Sequence, residues 1–389
     1  MCLNQKISYL LIIKNNRLLL IFILSSLLLT PIFYHNVYQV NNLVYAEETI
    51  IPILAYHNFT IGEGSSYCIN IVEFEKQMDH LAAHNYSVIS LSELLKGLRD
   101  RQLPPKPIVI TIDDGFKSTY TLAYPILKKY NLPATLFIYT DFVEKNSSSL
   151  TWKEIREMMQ NNIEIGSHTL SHCNLLRYKE NEDYDKYFSR IKKEIFLSKE
   201  ILESKIGEKV KFFAYPYGVY SPLIKNLVIQ AGYEGILNAH NMNNTINTNP
   251  WSLNRQNVFG NISLNSFVKI LNQRPLNTSQ IFPYDGIIES NQLVKIGAIL
   301  EGGNYDAKTL SMKLGGAKVK FDFNPENREI SFTPDSLKPL IKKSYIVNIT
   351  ALEKSSQHQR KISWLITILK AIINSIGNAR ENSIVISIK

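Results

Sequence analysis

Residues 107–115 read PIVITIDDG. The unbroken β-branched run from Ile108 to Ile112 fits a strand buried on both faces, and it stops on two adjacent carboxylates, Asp113 and Asp114, followed by Gly115. Such a strand delivers both acids to one edge of a sheet. Side by side and away from water, they cannot both stay ionised cheaply unless a cation or hydrogen-bond donors neutralise them. Alone, an Asp-Asp-Gly triplet reads as a solvated turn. The segment Ser167-His168-Thr169-Leu170-Ser171-His172 changes that reading, because it sets two imidazoles four residues apart behind another apolar run, Ile163 to Gly166.

Outward from this strand, short apolar runs alternate with amphipathic segments, the pattern of βα units around a largely parallel sheet. Ile51 to Tyr56 reads as a strand ending at His57, and Phe74, Met78 and Leu81 keep helical spacing after it. Ala134 to Thr140 is a further buried strand. Thr151-Trp152-Lys153-Glu154 is a capping box that opens a helix. Phe188, Ile191, Ile195 and Leu202 line a long helical segment closed by Gly207, and strands are expected at 210–215 and 233–237. About seven such units predict an α/β fold, a deformed or incomplete (β/α) barrel over residues 47–274. In that architecture reactive residues lie at the C-terminal ends of strands, where His57, Asp113, Asp114, His168 and Tyr217 all fall.

Beyond Arg274 the rhythm changes to period two. Val319, Phe321 and Phe323 alternate with charged residues, as do Tyr345, Val347 and Ile349, then Ile362, Trp364 and Ile366. With Gly and Pro punctuation this predicts a small all-β, immunoglobulin-like sandwich at 283–368, with a tail at 369–389.

The chain has 389 residues, 45% hydrophobic and 20% charged, with a formal charge of +9. Lys6, Lys14 and Arg17 precede the first acid, Glu47, and leave +6 for the remainder. A surplus this mild suits an anionic surface or a polysaccharide, and no Lys/Arg cluster interleaved with aromatics marks a nucleic-acid face. Cys2, Cys68 and Cys173 form no CxxC and read as separate thiols. Lys14 to Arg17, the apolar stretch Leu18 to Leu29 and Val44-Tyr45-Ala46 form a signal-peptide pattern. An uncleaved membrane anchor reaching Tyr34 is the alternative use of residues 1–46. Either use puts the rest of the protein outside the cytoplasm, secreted or at the cell surface, associated with membrane or wall through its N-terminus; the sequence gives no oligomeric state.

His168 and His172 can share one cation if the chain turns helically between them. Neutral imidazoles suit Zn and related divalent ions, with Co and Ni as alternatives. One carboxylate added to them gives three protein ligands and an open position for water, leaving the other carboxylate as base. His80 and His84 repeat the HxxxH spacing on a helix without an acidic partner and read as packing or surface residues, while His240 sits in an Asn-rich loop near the pocket.

At Asp113-Asp114-Gly115, 163–172 and Phe212 to Gly218 the chain resembles the polysaccharide deacetylases, carbohydrate esterase family four. The resemblance covers about 51–273 and implies that Asp113 is the general base and that Asp114, His168 and His172 hold the metal. It also implies that the Tyr217 amide, in the turn Tyr215-Pro216-Tyr217-Gly218, receives the oxyanion, with Tyr215 and Pro216 beside the substrate. The arginine that orients the base in this family is replaced by Ala214. Arg255, in Ser252-Leu253-Asn254-Arg255, is the expected substitute. The Tyr56-His57 context is similar to one branch, the poly-β-1,6-N-acetylglucosamine N-deacetylases, and makes His57 the general acid. Trp152 and Trp251 are candidates for an apolar wall against the acetyl methyl group, although single aromatics more often belong to a core.

The function this resemblance implies is metal-dependent removal of N-acetyl groups from N-acetylglucosamine units of an extracytoplasmic polysaccharide, poly-β-1,6-N-acetylglucosamine first, with peptidoglycan or chitin as alternatives. The rival reading is a catalytically decayed esterase fold that binds surface polysaccharide or mediates adhesion. Its only support is Ala214.

Overall fold

A computed structural model describes residues 49–369 except 261, 285, 290–293, 304 and 334–343. The expected targeting segment at 1–46 and the tail from 370 onward lie outside the described residues. The strands expected from the apolar runs, together with the short β2 (Ser87–Val88) and β8 (Gln256–Asn257), form one parallel sheet: β1 (Ile53–Tyr56), β3 (Pro107–Asp114), β4 (Ala134–Ile138), β5 (Ile163–Ser167), β6 (Phe212–Ala214) and β7 (Gly235–Leu237). Their order is β8-β1-β3-β4-β5-β6-β7, with β2 paired to the start of β3. The sheet curls until its two ends meet on one short segment, where Leu253 bridges to Leu237 of β7 and Gln256 pairs with Leu54 of β1.

The period of two in β3 sorts its side chains. Ile108, Ile110 and Ile112 enter the core under the helices, whereas Val109 joins a second cluster on the inner side with Ile53, Phe137, Leu237 and Leu253. Thr111 and Asp113 continue that inner row. By strict alternation Asp114 would face the helices, but its φ of 76° turns the chain as the strand ends. Outside the sheet, Thr151 and Glu154 form the expected capping box, and Gly207 ends the long helical segment at φ 78°. The inner layer depends on a glycine. A Cβ on Gly166 in β5 would come within 2.3 Å of the Phe137 ring, which fills the space over that position.

Two further sheets follow, one of six strands and one of four, and they share a core that includes Trp364, Ile349, Val347, Leu300 and Ile330. The β region starts earlier than 283. Arg274–Pro275 already pairs with Arg360–Lys361, and Thr278–Phe282 pairs with the strand at 296–300. These leading segments lie along sheet edges, and the second is mostly solvent-facing, so they carry no alternating signal. The run Val319 to Phe323 is not one strand either. Ala317–Lys318 belongs to the six-stranded sheet and Asp322–Asn324 to the four-stranded one.

Among the described residues, no helix is long and apolar enough to cross a membrane. Gly166→Ala is expected to destabilise the chain by about 1–3 kcal/mol through the clash with Phe137, read as a lower midpoint in thermal unfolding.

Candidate active site

The ends of β3 and β5 bring Asp114, His168 and His172 together. Asp114 Oδ1 lies 3.2 Å from His172 Nε2 and 3.7 Å from His168 Nε2, and one ligand atom from each of the three falls within 4.8 Å of the others. Ligands at about 2.0–2.2 Å from a tetrahedral ion sit roughly 3.3–3.6 Å apart. His168 Nδ1 is 2.8 Å from the Ala214 carbonyl, which can only accept, so Nδ1 carries the proton and Nε2 keeps its lone pair. Burial pushes this imidazole down to about 4, against the pull of Asp113 and Asp114, and so favours the neutral form a metal requires. Asp114 Oδ1 is buried without an aligned hydrogen bond. A lone carboxylate oxygen facing two imidazole nitrogens fits a divalent cation.

Residues 168–172 do not turn helically. Thr169 and His172 both adopt positive φ, 73° and 58°, which non-glycine residues rarely do. The turn is held from outside by Glu194, whose carboxylate accepts from Leu170 N at 3.1 Å, Ser171 N at 2.9 Å and Ser171 Oγ at 2.6 Å. Thr169 Oγ1 accepts from His172 N as well. Glu194 was not among the expected site residues. Its only sequence signal is an acid next to Ile195 on the inward face of a helical run.

Asp113 has different company. Its Oδ1 accepts from Arg255 Nη1 at 2.7 Å, while Oδ2 faces His168 Nε2 at 3.8 Å and His57 Nε2 at 3.9 Å. Burial raises its pKa, but the Arg255 guanidinium and then the two imidazoles outweigh burial and hold the carboxyl well below the usual carboxylate range. Arg255 is itself fixed. Nε donates to Asn238 O, Nη1 also reaches Thr111 Oγ1, and the guanidinium lies over the Phe137 ring.

A cleft of about 560 Å³ opens over these groups and takes in Tyr217. The Pro216-Tyr217-Gly218 turn places Tyr217 at φ 60°, and its internal bonds run from Gly218 N to Tyr215 O and from Val219 N to Pro216 O. The Tyr217 amide takes no part in them. Its ring stands edge-on to His172, with centroids 4.8 Å apart. Further walls come from Tyr67 and Phe259 and, from the β sandwich, Ile346 and Leu365.

Other expected residues lie elsewhere. Trp152 is the first residue of its helix and is buried in the outer core, away from the cleft, because the capping box directs it into the helix layer. Trp251 and His240 line a separate hollow, Pro216 is buried within its turn, and Tyr215 backs both spaces. The rings of His80 and His84 stack on each other at 3.9 Å.

Arg255→Gln strands a buried charge and is expected to cost about 3–5 kcal/mol at pH 7. In the wild type the Asp113 pKa lies below its unfolded value, so the contribution is fully present at neutral pH and is lost only as pH falls through the lowered folded value. In the variant only the two imidazoles oppose burial, so Asp113 rises relative to the wild type and the deficit narrows on acidification. Urea unfolding of metal-stripped protein at pH 7 and pH 5 reads both effects. Glu194→Ala should weaken divalent-ion affinity roughly 10–100-fold, and Glu194→Gln less, in competition against a chromogenic chelator.

Residues 100–236 match the family model for polysaccharide deacetylase. The poly-β-1,6-N-acetyl-D-glucosamine N-deacetylase of Staphylococcus aureus is 29% identical over 248 residues, 56% of this chain and 85% of that protein. YxkH of Bacillus subtilis is 30% identical over 185 residues, 47% of this chain and 62% of its own length. Among solved structures, the Streptococcus pyogenes deacetylase PplD in complex with acetate superposes with a TM-score of 0.52 at 26% identity, covering 58% of this chain and 99% of that one. Residues 100–236 thus form a polysaccharide deacetylase domain, and the deacetylases it resembles are hydrolases.

Proposed function

We propose that the chain is a metal-dependent N-deacetylase acting on N-acetylglucosamine units of a polysaccharide outside the cytoplasm, with poly-β-1,6-N-acetylglucosamine as the first candidate. The observation that carries this reading is the opposite surroundings of two adjacent acids. Asp114 faces two imidazole nitrogens, whereas Asp113 is paired with Arg255 and turned toward His57.

Asp114, His168 and His172 would hold the ion, Zn first and Co or Ni as alternatives. When bound, the ion supplies Lewis acidity at the acetamide carbonyl and makes a water more acidic. Asp113, kept ionised by Arg255, takes the proton of the attacking water at Oδ2. The Tyr217 N–H donates to the oxygen on which negative charge develops. His57 Nε2, 3.9 Å from Asp113 Oδ2, hands a proton to the departing amine. The products are a free amino sugar and acetate.

Ala214 counted toward a decayed, purely binding protein. A guanidinium 2.7 Å from Asp113 removes the reason for that reading. The extracytoplasmic placement rests on the basic and apolar pattern at 14–29 and on the mild positive charge. The relative from Staphylococcus aureus supports the choice of polymer.

Asp113→Asn should lower acetate release at least about 100-fold while metal content stays at the wild-type level. Unchanged turnover in that variant would assign the base elsewhere. Acetate release from poly-β-1,6-N-acetylglucosamine, peptidoglycan glycan and chitin oligomers, each with defined metals, ranks the substrates, and no release from any of them would overturn the activity.

A further inference from the structure

A second hollow of about 630 Å³ lies where the barrel meets the sandwich. It shares one lining residue with the catalytic cleft, Tyr215. Among the described residues, eight buried side-chain polar atoms lack a hydrogen-bond partner. Two belong to the catalytic site, His57 Nδ1 and Asp114 Oδ1. Four belong to residues that line this hollow: Tyr215 Oη, His240 Nε2, Ser363 Oγ and Trp364 Nε1. Their residues are 3%, 6%, 1% and 2% exposed, so open solvent does not satisfy them. Each such atom carries a desolvation cost unless something pairs with it. Half of those costs gathered in one place mark a binding site.

The lining identifies the chemical class. Among the described residues that line it, Lys225 is the only formally charged side chain and none carries a carboxylate. The polar groups are otherwise neutral amides and hydroxyls, among them Asn226, Asn254, Gln280 and Ser252. Aromatic surface accompanies them. Tyr215 stacks on Tyr220 with centroids 5.5 Å apart, Tyr220 lies 5.8 Å from the His240 ring, Trp251 borders the space, and Tyr284 stands 76% exposed at its edge. Flat apolar faces beside uncharged donors and acceptors suit a pyranose, whose C–H face lies on aromatic rings while its hydroxyls and acetamide make hydrogen bonds.

We propose that this hollow is a second saccharide subsite, which holds a neutral sugar unit of the polymer while another unit occupies the catalytic cleft. It rests on the polysaccharide reading above and deepens it. Barrel and sandwich then grip the chain jointly, and affinity grows with oligosaccharide length.

The test is binding without turnover. Metal-stripped protein is titrated with N-acetylglucosamine pentasaccharides, β-1,6- and β-1,4-linked, by calorimetry and by tryptophan fluorescence, since Trp251 and Trp364 border the site. For at least one linkage, the pentasaccharide is expected to bind at least fivefold more tightly than the disaccharide. Tyr284→Ala and Trp251→Ala should each remove most of that length dependence, and Ser363→Ala should reduce it. Tyr284 is exposed, so its variant keeps the test open if a buried one does not fold. Affinity independent of length, or unchanged in Tyr284→Ala and Ser363→Ala, overturns the subsite and leaves a merely hydrated interface. Length-dependent binding without any acetate release from the metal-loaded wild type sinks the deacetylase reading and leaves this one standing.

Discussion

The buried ion pair between Arg255 and Asp113 is the constraint from which the rest of the site follows. Two neighbouring carboxylates at the end of a buried strand are tolerable only if each finds its own neutraliser, and here the neutralisers differ in kind. A guanidinium takes one and imidazoles face the other. Desolvating Arg255 is costly in itself. The cost is offset because its planar fork is used in several directions at once, toward Asp113, Thr111 Oγ1 and Asn238 O, with Phe137 beneath it. A lysine in this position would offer one point charge and no such set of bonds. Arg255 also lies on the segment that joins the two ends of the sheet, between Leu253 at β7 and Gln256 at β1. Closing the sheet and keeping Asp113 ionised are therefore one structural event.

Strain gathers where the ligands are presented. Asp114, Thr169, His172 and Tyr217 are all non-glycine residues at positive φ; Asp114, His172 and Tyr217 line one cleft, and Thr169 is buried in the turn that presents His172. Each conformation costs of order 1–3 kcal/mol and persists only where its surroundings over-determine it. For the histidine turn those surroundings are visible. Three hydrogen bonds to Glu194 and one to Thr169 Oγ1 fix a short irregular segment as firmly as a strand would. The imidazoles are thus placed before any ligand arrives.

Much of this was legible in the residues, for reasons that can be named. The β-branched run at 108–112 fits a strand buried on both faces, and its terminal acids gained a functional reading once joined to the two imidazoles at 168 and 172. Arg255 was reached only through the family resemblance, in which Ala214 stands where the base-orienting arginine is expected and Ser252-Leu253-Asn254-Arg255 offers another. Features that depend on partners far away in the chain were not legible. Spacing of four suggested a helical turn for His168 and His172, whereas Glu194, more than twenty residues on, dictates another shape. Trp152 was misassigned although its capping box already placed it at the start of a helix, and a helix on the outer layer turns its buried face away from the strand ends. The run at 319–323 alternates as a strand should, yet it leads from one short strand to another in a different sheet.

The sandwich illustrates how such distant partners shape the cleft. In its antiparallel pair, Val347 lies opposite Trp364 and Ile346 opposite Leu365. Alternation sends the first pair into the sandwich core and the second pair out of it. An outward face normally meets water and carries polar residues, but at Ile346 and Leu365 this one is apolar and borders the catalytic cleft. Leu365 and Ile287 also pack against the core of the barrel. The sandwich is therefore a wall of the active site as well as a neighbour of it. The wall comes from residues beyond the stretch at 100–236 that matches the family, while the ligands Asp114, His168 and His172 come from within it. The cleft is accordingly built from inside and outside that match, since His57 and Arg255 also lie beyond it.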